Sequence, residues 1–559
     1  MSSIFEKKNW YVFAGYFLLS LVLFHKTIFL GFFSDDYHFL SVVFHTTDVA
    51  RFFFLNNVGG DFGGSYGPVL VILWFLQYSF FGLAGWMYHV VLLAAYATTA
   101  FIVQKIAKIC SGQVRVGVLA GVFFLLAQNH TSALAWVAVM PHVWATVFFV
   151  AALYGYLRYL RNEKGWWYVF ALLMMVISLF TKESALLFPC VFFCADLCFS
   201  SVKGVFKRLV LATKRSVPFV FLVLIYLCIR HTIVGYVFGY YGSASGSVLS
   251  KAFTGLFPLL SSYARMFTEI TLSMFFGSPY RQKLLHFFTE NLFWVLTIGF
   301  FSGVLVLTYL DKKTRRLCIF FSTSYVFITA PFVMLLFDQL SDSGERYGYI
   351  SSVFFCVLFA LLLEQVFRYR YFFAYLLTGC CLFWLFLQHT NKLLVWEQSA
   401  SIREQIIFDM KYAAISPKDY VLFIGLPDNV AGVELLRNGV FEMVALETDL
   451  GQVHGERVPL YVEPKKFEKK TAIVELVALG ENNFLLGAKE SGEHRYFTGF
   501  PKFRSDLGYF SLENFRHIDH SGTAIRFSLE GFDTLPDYDR VVIAYYNGAR
   551  LVLHPIALH

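Results

Sequence analysis

Apolar residues in this chain come in long runs as far as Gln388 and in short alternating stretches after it. A bilayer core of ~30 Å takes about 20 apolar residues of helix. Eleven runs approach that length: residues 10–30, 87–107, 114–128, 134–157, 166–180, 185–199, 217–229, 292–310, 317–337, 349–366 and 372–388. They predict a polytopic helical membrane module over residues 1–395. Past Trp396, residues 397–412 read as an amphipathic helix and 420–425 as a buried strand. Leu426-Pro427-Asp428-Asn429 reads as a turn into a helix ending near Arg437, with Asn438-Gly439 as its stop. Residues 471–479, 523–529, 540–544 and 550–553 read as strands, with Asn547-Gly548 as a tight hairpin turn. Residues 396–559 are therefore expected to form an accessory α/β or α+β domain. No glycine-rich phosphate loop follows the strand at 420–425, which argues against a nucleotide site. The charge run from Glu463 to Lys470 alternates in sign and reads as a solvated loop.

Composition supports the membrane reading: 57% of the 559 residues are hydrophobic and only 15% charged, with a mean hydropathy of +0.59. Soluble domains carry about 25% charged residues, so an ordinary soluble enzyme and a disordered chain are both poor fits. The net charge of +8 suggests nucleic acid until the charges are located. From Ala400 onward, 17 Lys and Arg face 22 Asp and Glu, so the tail carries −5 and the rest +13. Basic residues flanking apolar spans record topology, and no nucleic-acid partner is expected. Lys7 and Lys8, Lys105 to Arg115, Arg158 to Lys164, Lys203 to Arg215, Lys312 to Arg316, and Arg368 with Arg370 all fall on one side of the eleven spans. That side is expected to be cytoplasmic, with the N-terminus. Loop 31–86, the connections at 129–132 and 182–183, stretch 232–290, loop 338–348 and the tail then lie outside. Residues 256–276, carrying Arg265 and Glu269, are expected to form an interfacial or re-entrant helix. The first run lacks a small-x-small cleavage site at Gly31-Phe32-Phe33 and is expected to stay as a signal anchor. All nine cysteines lie in or beside apolar segments, which excludes a disulfide framework in the tail. The Cys194 and Cys198 pair, without histidine partners, reads as packing.

Candidate chemistry gathers on the external side. Asp35 and Asp36 directly follow the first span, where desolvation could raise a carboxylate toward the range of a general base; the alternative is a solvated charge pair. Lys182-Glu183 is squeezed between two spans, and Arg346 lies in loop 338–348. A cation at Lys182, Arg230 or Arg346 could hold a phosphate.

A set of short motifs shares an order and a face: Ser34-Asp35-Asp36-Tyr37, Ser65-Tyr66-Gly67-Pro68, Phe81-Gly82-Leu83 with Trp86-Met87-Tyr88-His89, and His130 with Trp136. Thr181-Lys182-Glu183 with Pro189 and Asp196, and Glu345-Arg346-Tyr347-Gly348-Tyr349, complete it. Over residues 9–395 this resembles the C-type (GT-C) membrane glycosyltransferases. Within them it is similar to the branch of protein O-mannosyltransferases with tetratricopeptide repeats and their bacterial relatives. The resemblance implies transfer of a sugar from a polyprenyl-phosphate carrier to an extracytoplasmic acceptor hydroxyl on a glycan, lipid or protein. It implies Asp35 or Asp36 as catalytic base or metal ligand, with a divalent ion such as Mg or Mn as an option. It also implies Lys182 and Arg346 at the carrier phosphate, with Tyr66, His89, Glu183 and Tyr347 lining the cavity and residues 66–86 as a surface helix. His38 could join a metal. One carboxylate and one cation on opposite faces of the sugar would give inversion. The chain departs from the pattern in having no repeat array, and no carboxylate near Ser132 or Arg near Met140. Asn129-His130-Thr131 matches a glycosylation sequon, taken as accidental so close to a span. The missing repeats and compact tail favour a bacterial inner (plasma) membrane. The rivals are a carrier-lipid-linked glycan ligase or polymerase, and a transporter or flippase of lipid-linked sugars. No internal repeat marks a transporter, and a ligase would be expected to carry its main external loop late in the chain.

Overall fold

The structure, a computed structural model, describes residues 7–55, 66–162, 164–235, 237, 256–277, 290–310, 314–334, 342–427, 429–430, 432–458, 460–461, 474–480, 483–488, 498–499, 510–511, 524–529 and 538–557. Its contacts form two units: Met1–Phe29 with His45–Leu393, and Leu30–Phe44 with Leu394–His559.

The first unit is helical. Its helices are α1 (Lys7–Leu23), α3 (Pro68–Phe81), α4 (Gly85–Ser111), α5 (Val114–Leu126), α6 (Thr131–Ala135), α7 (Met140–Asn162), α8 (Gly165–Thr181) and α9 (Phe188–Phe199). Then come α10 (Val205–Val234), α11 (Leu256–Ser273), α12 (Glu290–Leu310), α13 (Arg315–Thr329), α14 (Tyr349–Tyr369) and the first part of α15 (Tyr371–Lys411). Helix α2 (Asp35–Phe44) belongs to the second unit. Glycines set the close crossings, as small residues do where helices pack in lipid. A Cβ at Gly117 would lie 2.8 Å from the Gln104 carbonyl, and one at Gly121 would strike Tyr16 Oη. A Cβ at Gly155 would lie 2.7 Å from the Phe170 ring of α8.

Among the described residues five helices are long and apolar enough to cross a membrane, or six if α5 and the segment Gln128–Ala135, bent by 53°, form one broken span. Each of the eleven predicted runs contains a helix, but several are short: α1 and α8 have 17 residues, α13 has 15 and α9 has 12. The run at 134–157 begins with α6 and a 3-10 turn at Val137–Val139, so its helix starts only at Met140. Helices α10 and α15 expose apolar faces, including Phe206, Phe221, Leu224, Phe372, Phe373 and Phe383. Such faces suit hydrocarbon rather than water. The chain is a polytopic α-helical membrane protein with a C-terminal α/β domain.

That domain has strands β1 (Asp419–Ile424), β2 (Asn429–Val430), β3 (Val433–Glu434), β4 (His454–Arg457), β5 (Leu460–Tyr461), β6 (Val474–Gly480) and β7 (Asn483–Ala488). It continues with β8 (Thr498–Gly499), β9 (Phe510–Ser511), β10 (Ala524–Leu529), β11 (Arg540–Tyr546) and β12 (Leu551–Ala557), and holds helix α16 (Val440–Glu447). The main sheet runs β12-β11-β1-β4, with β11 and β4 parallel to β1 and β12 antiparallel to β11. The DYVLFI sequence of β1 is buried throughout, as a central strand covered on both faces requires. Gly455 of β4 has no room for a side chain against the Val421 carbonyl. A second, antiparallel sheet runs β6-β7-β10-β9.

The strands expected at 420–425, 471–479, 523–529, 540–544 and 550–553 are present, and Asn547 Oδ1 accepts the N–H groups of Ala549 and Arg550 in the expected turn. Other expectations change. Residues 397–412 are not a separate helix but the end of α15, which runs unbroken from Tyr371. Asn429–Val430 and Val433–Glu434 pair as antiparallel strands instead of continuing a helix, because Asn429 Oδ1 accepts the Gly432 N–H at 2.7 Å and Gly432 takes φ 99°. Asn438-Gly439 starts a helix rather than stopping one: Gly439, at φ 74°, caps α16. The run from Glu463 to Lys470, together with Ser65, lies outside the described residues.

Candidate active site

The acidic pair lies in the second unit, and the turn before it divides the roles of the two carboxylates. Gly31 has φ 70°, and Ser34 at φ 42° is the single non-glycine residue with positive φ among the described residues. Buried Arg403 of α15 donates through Nη1 to the carbonyls of Leu30 (2.5 Å) and Phe32 (2.6 Å) and lies over the Phe33 ring at 5.0 Å. A Cβ at Gly31 would sit 2.8 Å from Arg403 Nη2. Ser34 is gripped by the accessory domain: its N–H donates to the Leu435 carbonyl at 3.1 Å, and its Oγ accepts the Asn438 N–H at 3.1 Å. A side chain at Gly439 would lie 2.5 Å from the Ser34 carbonyl, so glycine permits this approach. Strained backbone held by several contacts is a common mark of functional sites.

Asp36 is wholly buried, and its Oδ2 accepts the Phe33 N–H at 2.7 Å. Asp35 is half-buried, and its Oδ1 accepts from Asn438 Nδ2 at 2.6 Å. One carboxylate thus closes the turn while the other stands at the first turn of α2. Farther along α2, His38 Nδ1 lies 3.5 Å from Glu442 Oε1, and the Tyr37 hydroxyl donates to Glu447 at 3.3 Å. Burial raises the Glu442 carboxyl, but the hydrogen bond and charge of His38 together with a backbone N–H outweigh this and hold it below the usual glutamate value. Burial pushes the Tyr37 phenol far up. Among the described residues no three His, Cys, Asp or Glu side chains converge as metal ligands. Asp35 is bound by Asn438, Asp36 by the Phe33 N–H, and His38 is paired with Glu442, so the three form no shared ligand set among the described residues.

In the first unit, distant loops bring two cations within electrostatic reach of one buried histidine. Lys182 follows α8, Arg346 sits in the 3-10 turn Asp342–Gly348 before α14, and both act electrostatically on His142 in the first turn of α7. Arg346 lies over the rings of Trp136 (5.2 Å) and Tyr347 (5.4 Å). Tyr347 in turn packs at 5.6 Å on His142 and at 5.3 Å on Phe332. His142 is 3% exposed, and its Nδ1 has no hydrogen-bond partner among the described residues. A buried polar atom left unpaired costs about 1–3 kcal/mol, and a bound ligand would relieve that. Sequence reasoning missed His142, whose only signal was a histidine beside Pro141 at the start of a span.

Tyr66, Glu183 and Arg230 gather instead around Tyr226. The Tyr226 hydroxyl donates to the Tyr66 carbonyl at 2.9 Å, and Glu183 and Arg230 both act on it electrostatically. Tyr66 donates to the Phe53 carbonyl at 2.9 Å, and burial raises its phenol to about 12. Arg230 is 2% exposed and donates to the Val237 carbonyl. His89 is buried, with Nδ1 at 3.0 Å from the Leu134 carbonyl of α6. Asp196 is likewise structural, bound by Tyr156 and by Arg215 at 2.9 Å.

The Arg346 turn is anchored by a buried ion pair that the sequence did not reveal. Lys392, within α15, donates to Glu345 and, at 3.1 Å, to the Gln128 carbonyl. Gln128 donates onward to the Leu385 carbonyl at 2.7 Å. Glu345 therefore points inward while its neighbour Arg346 joins the His142 cluster. Asn129 is fully buried against Gly348, which rules it out as a glycosylation acceptor in the folded chain.

No protein-family model and no curated protein sequence matches this chain. Among solved structures it is similar to the Archaeoglobus fulgidus oligosaccharyltransferase tethered with an acceptor peptide, at 13% identity and TM-score 0.42, over 81% of this chain and 64% of that one. The archaeal oligosaccharyltransferase AglB from Archaeoglobus fulgidus, in complex with an inhibitory peptide and a dolichol-phosphate, aligns at 12% identity and TM-score 0.44, over 81% and 65%. ArnT from Cupriavidus metallidurans bound to undecaprenyl phosphate aligns at 11% and 0.40, over 79% and 85%. The chain thus spans just under two thirds of the length of the oligosaccharyltransferases. Likeness at these identities and scores carries no weight for activity.

Proposed function

We propose that this chain is a GT-C-type membrane glycosyltransferase of the O-mannosyltransferase-like branch. It would move a sugar from a polyprenyl-phosphate carrier to an extracytoplasmic acceptor hydroxyl. The observation that carries the reading is the convergence of Lys182 and Arg346 on buried His142 at the ends of three apolar helices. Cations at a membrane face suit a lipid-linked phosphate, because they neutralise the charge that grows on the departing oxygen. The resemblance over residues 9–395 supports the same donor class, and eleven spans with the basic loops in the cytoplasm would put these loops outside.

In this mechanism Lys182 and Arg346 bind the donor phosphate, and Tyr347 and Trp136 hold the guanidinium in place. Asp35 accepts the proton of the acceptor hydroxyl as its oxygen forms the new bond to C1. The C1–O bond to phosphate breaks, the electron pair leaves on the phosphate, and the anomeric configuration inverts. Asp36 keeps the turn closed. The test is transfer of radiolabelled sugar from polyprenyl-phosphate donors by the purified protein in liposomes. Lys182→Ala and Arg346→Ala should each reduce the rate by about 10²–10³, the scale of one lost charge-stabilising donor. Unchanged transfer by both variants would overturn the assignment.

A further inference from the structure

The membrane unit has a second basic site at the other end of its helices. A cavity of about 260 Å³ opens where the last turns of α4, α7, α9 and α14 meet the start of α13, and Arg161, Arg316 and Arg368 line it. Arg346 precedes α14 and Arg368 lies in its last turn. Helix α14 has 21 residues, so at 1.5 Å per residue the two ends are ~30 Å apart, about the thickness of a bilayer core. The cavity is therefore distinct from the Lys182 and Arg346 cluster.

Its charge is unbalanced. Among the described residues Glu364 is the one carboxylate lining it, and Arg115, outside the lining, lies 3.7 Å from that carboxylate. With its amide oriented to satisfy both neighbours, Gln113 donates to Glu364 at 3.0 Å and accepts from Arg368 at 3.0 Å. Arg161 donates to the Ile109 carbonyl at 2.5 Å, which fixes one guanidinium at the rim. Arg316 is exposed and donates to no described residue. Leu160 and Leu361 supply an apolar wall beside these charges. The volume falls just below the ~300–1,000 Å³ typical of ligand pockets, which suits a small anionic head better than a nucleotide.

We propose that this cavity binds the phosphate of an anionic phospholipid headgroup from the leaflet at the basic end of the helices. Guanidinium pairs recognise phosphate oxygens by charge-assisted hydrogen bonds, and basic pockets between membrane helices are suited to such heads. The site is independent of the proposed transfer reaction.

The test uses the full chain, delipidated in neutral detergent, with native mass spectrometry for bound lipid and thermal melting as the second readout. Phosphatidylglycerol should bind and raise the melting temperature, and phosphatidylcholine should do neither. Arg316→Glu should weaken phosphatidylglycerol binding by about tenfold or more, and Arg316→Gln should weaken it less, as expected when a charge-assisted contact is lost. The Gln variant gives the reading if the Glu variant does not fold. Arg315→Glu makes the same charge change next door but outside the lining, and should leave binding intact. Protection by inorganic phosphate alone, lost in the Arg316 variants, would keep the phosphate site and assign it a free anion instead of a lipid. Equal phosphatidylglycerol binding by wild type and both Arg316 variants would overturn the site. Equal loss in Arg315→Glu would reduce it to diffuse surface attraction and overturn it as well.

Discussion

At Gly31 the backbone is held in a left-handed conformation by Arg403, 373 positions from Leu30, and at Ser34 by Leu435 and Asn438. Gly31→Ala forces a Cβ onto the Arg403 guanidinium at a φ that side chains resist. It should lower stability by about 1–3 kcal/mol, read as a drop in thermal midpoint of the purified protein. The two carboxylates should separate by phenotype. Asp35→Asn should fold as wild type and slow sugar transfer by about 10²–10⁴, the scale of a lost general base. Asp36→Ala removes the acceptor of the Phe33 N–H and should cost about 1–3 kcal/mol of stability, seen by denaturant unfolding. Equal transfer by Asp35→Asn and wild type would remove Asp35 from the mechanism. The sequence draws attention to this pair at the end of the first apolar run. It could not rank the two, because the ranking is set by Arg403 and Asn438, which are remote in the chain. Lys392 was illegible for a similar reason: a lone lysine in a long helix gives no sign of its carboxylate partner until the fold brings Glu345 beside it.

Among the elements, those fixed by local pattern were readable and those fixed by a single turn were not. The buried strand at β1 follows from its unbroken apolar sequence, and the long helices follow from their apolar runs. The segment 429–434 turned on one Asx hydrogen bond, and Asn438-Gly439 carries signals that suit either end of a helix. The tail sheet also holds a pair that should set its acid stability. Arg540 donates to Asp419 through Nε at 2.6 Å and Nη2 at 2.8 Å, joining β1 to β11. Burial raises the Asp419 carboxyl, but the Arg540 guanidinium and the Ser416 N–H outweigh it and hold it below the usual aspartate value. A carboxyl depressed in the folded state contributes stability above its unfolded value of about 3.9, lost as pH falls through the folded one. Arg540→Ala should therefore destabilise by about 1–3 kcal/mol at pH 7, and the gap to wild type should narrow below about pH 4. Urea unfolding at pH 7 and pH 3 measures both, and an equal gap at the two values would remove the ionic role of the pair.

At the scale of the whole chain, the contrast between a +13 apolar body and a −5 tail predicts membrane helices followed by a separate domain. It drew the line once, at residue 395, whereas the contacts group Leu30–Phe44 with Leu394–His559. A discontinuous unit leaves no trace in composition, because its first piece is a short segment embedded in apolar sequence. Within that unit the segment is structural core: Phe33, Tyr37 and Leu40 are fully buried, and Phe33 packs on Trp396 at 5.3 Å. Burying such side chains is worth about 1.5–3 kcal/mol each, a large share of the ~5–15 kcal/mol that stabilises a domain. A fragment of residues 394–559 alone should therefore be poorly folded, with broad urea unfolding and rapid proteolysis. The same fragment with residues 30–44 fused through a flexible linker should unfold cooperatively and resist the protease. Gly31→Ala in the fused segment should take back part of that gain, since the Arg403 clamp requires glycine there. Cooperative unfolding of 394–559 by itself, at the midpoint of the fusion, would show that the loop carrying Asp35 adds nothing to the stability of the domain that grips it.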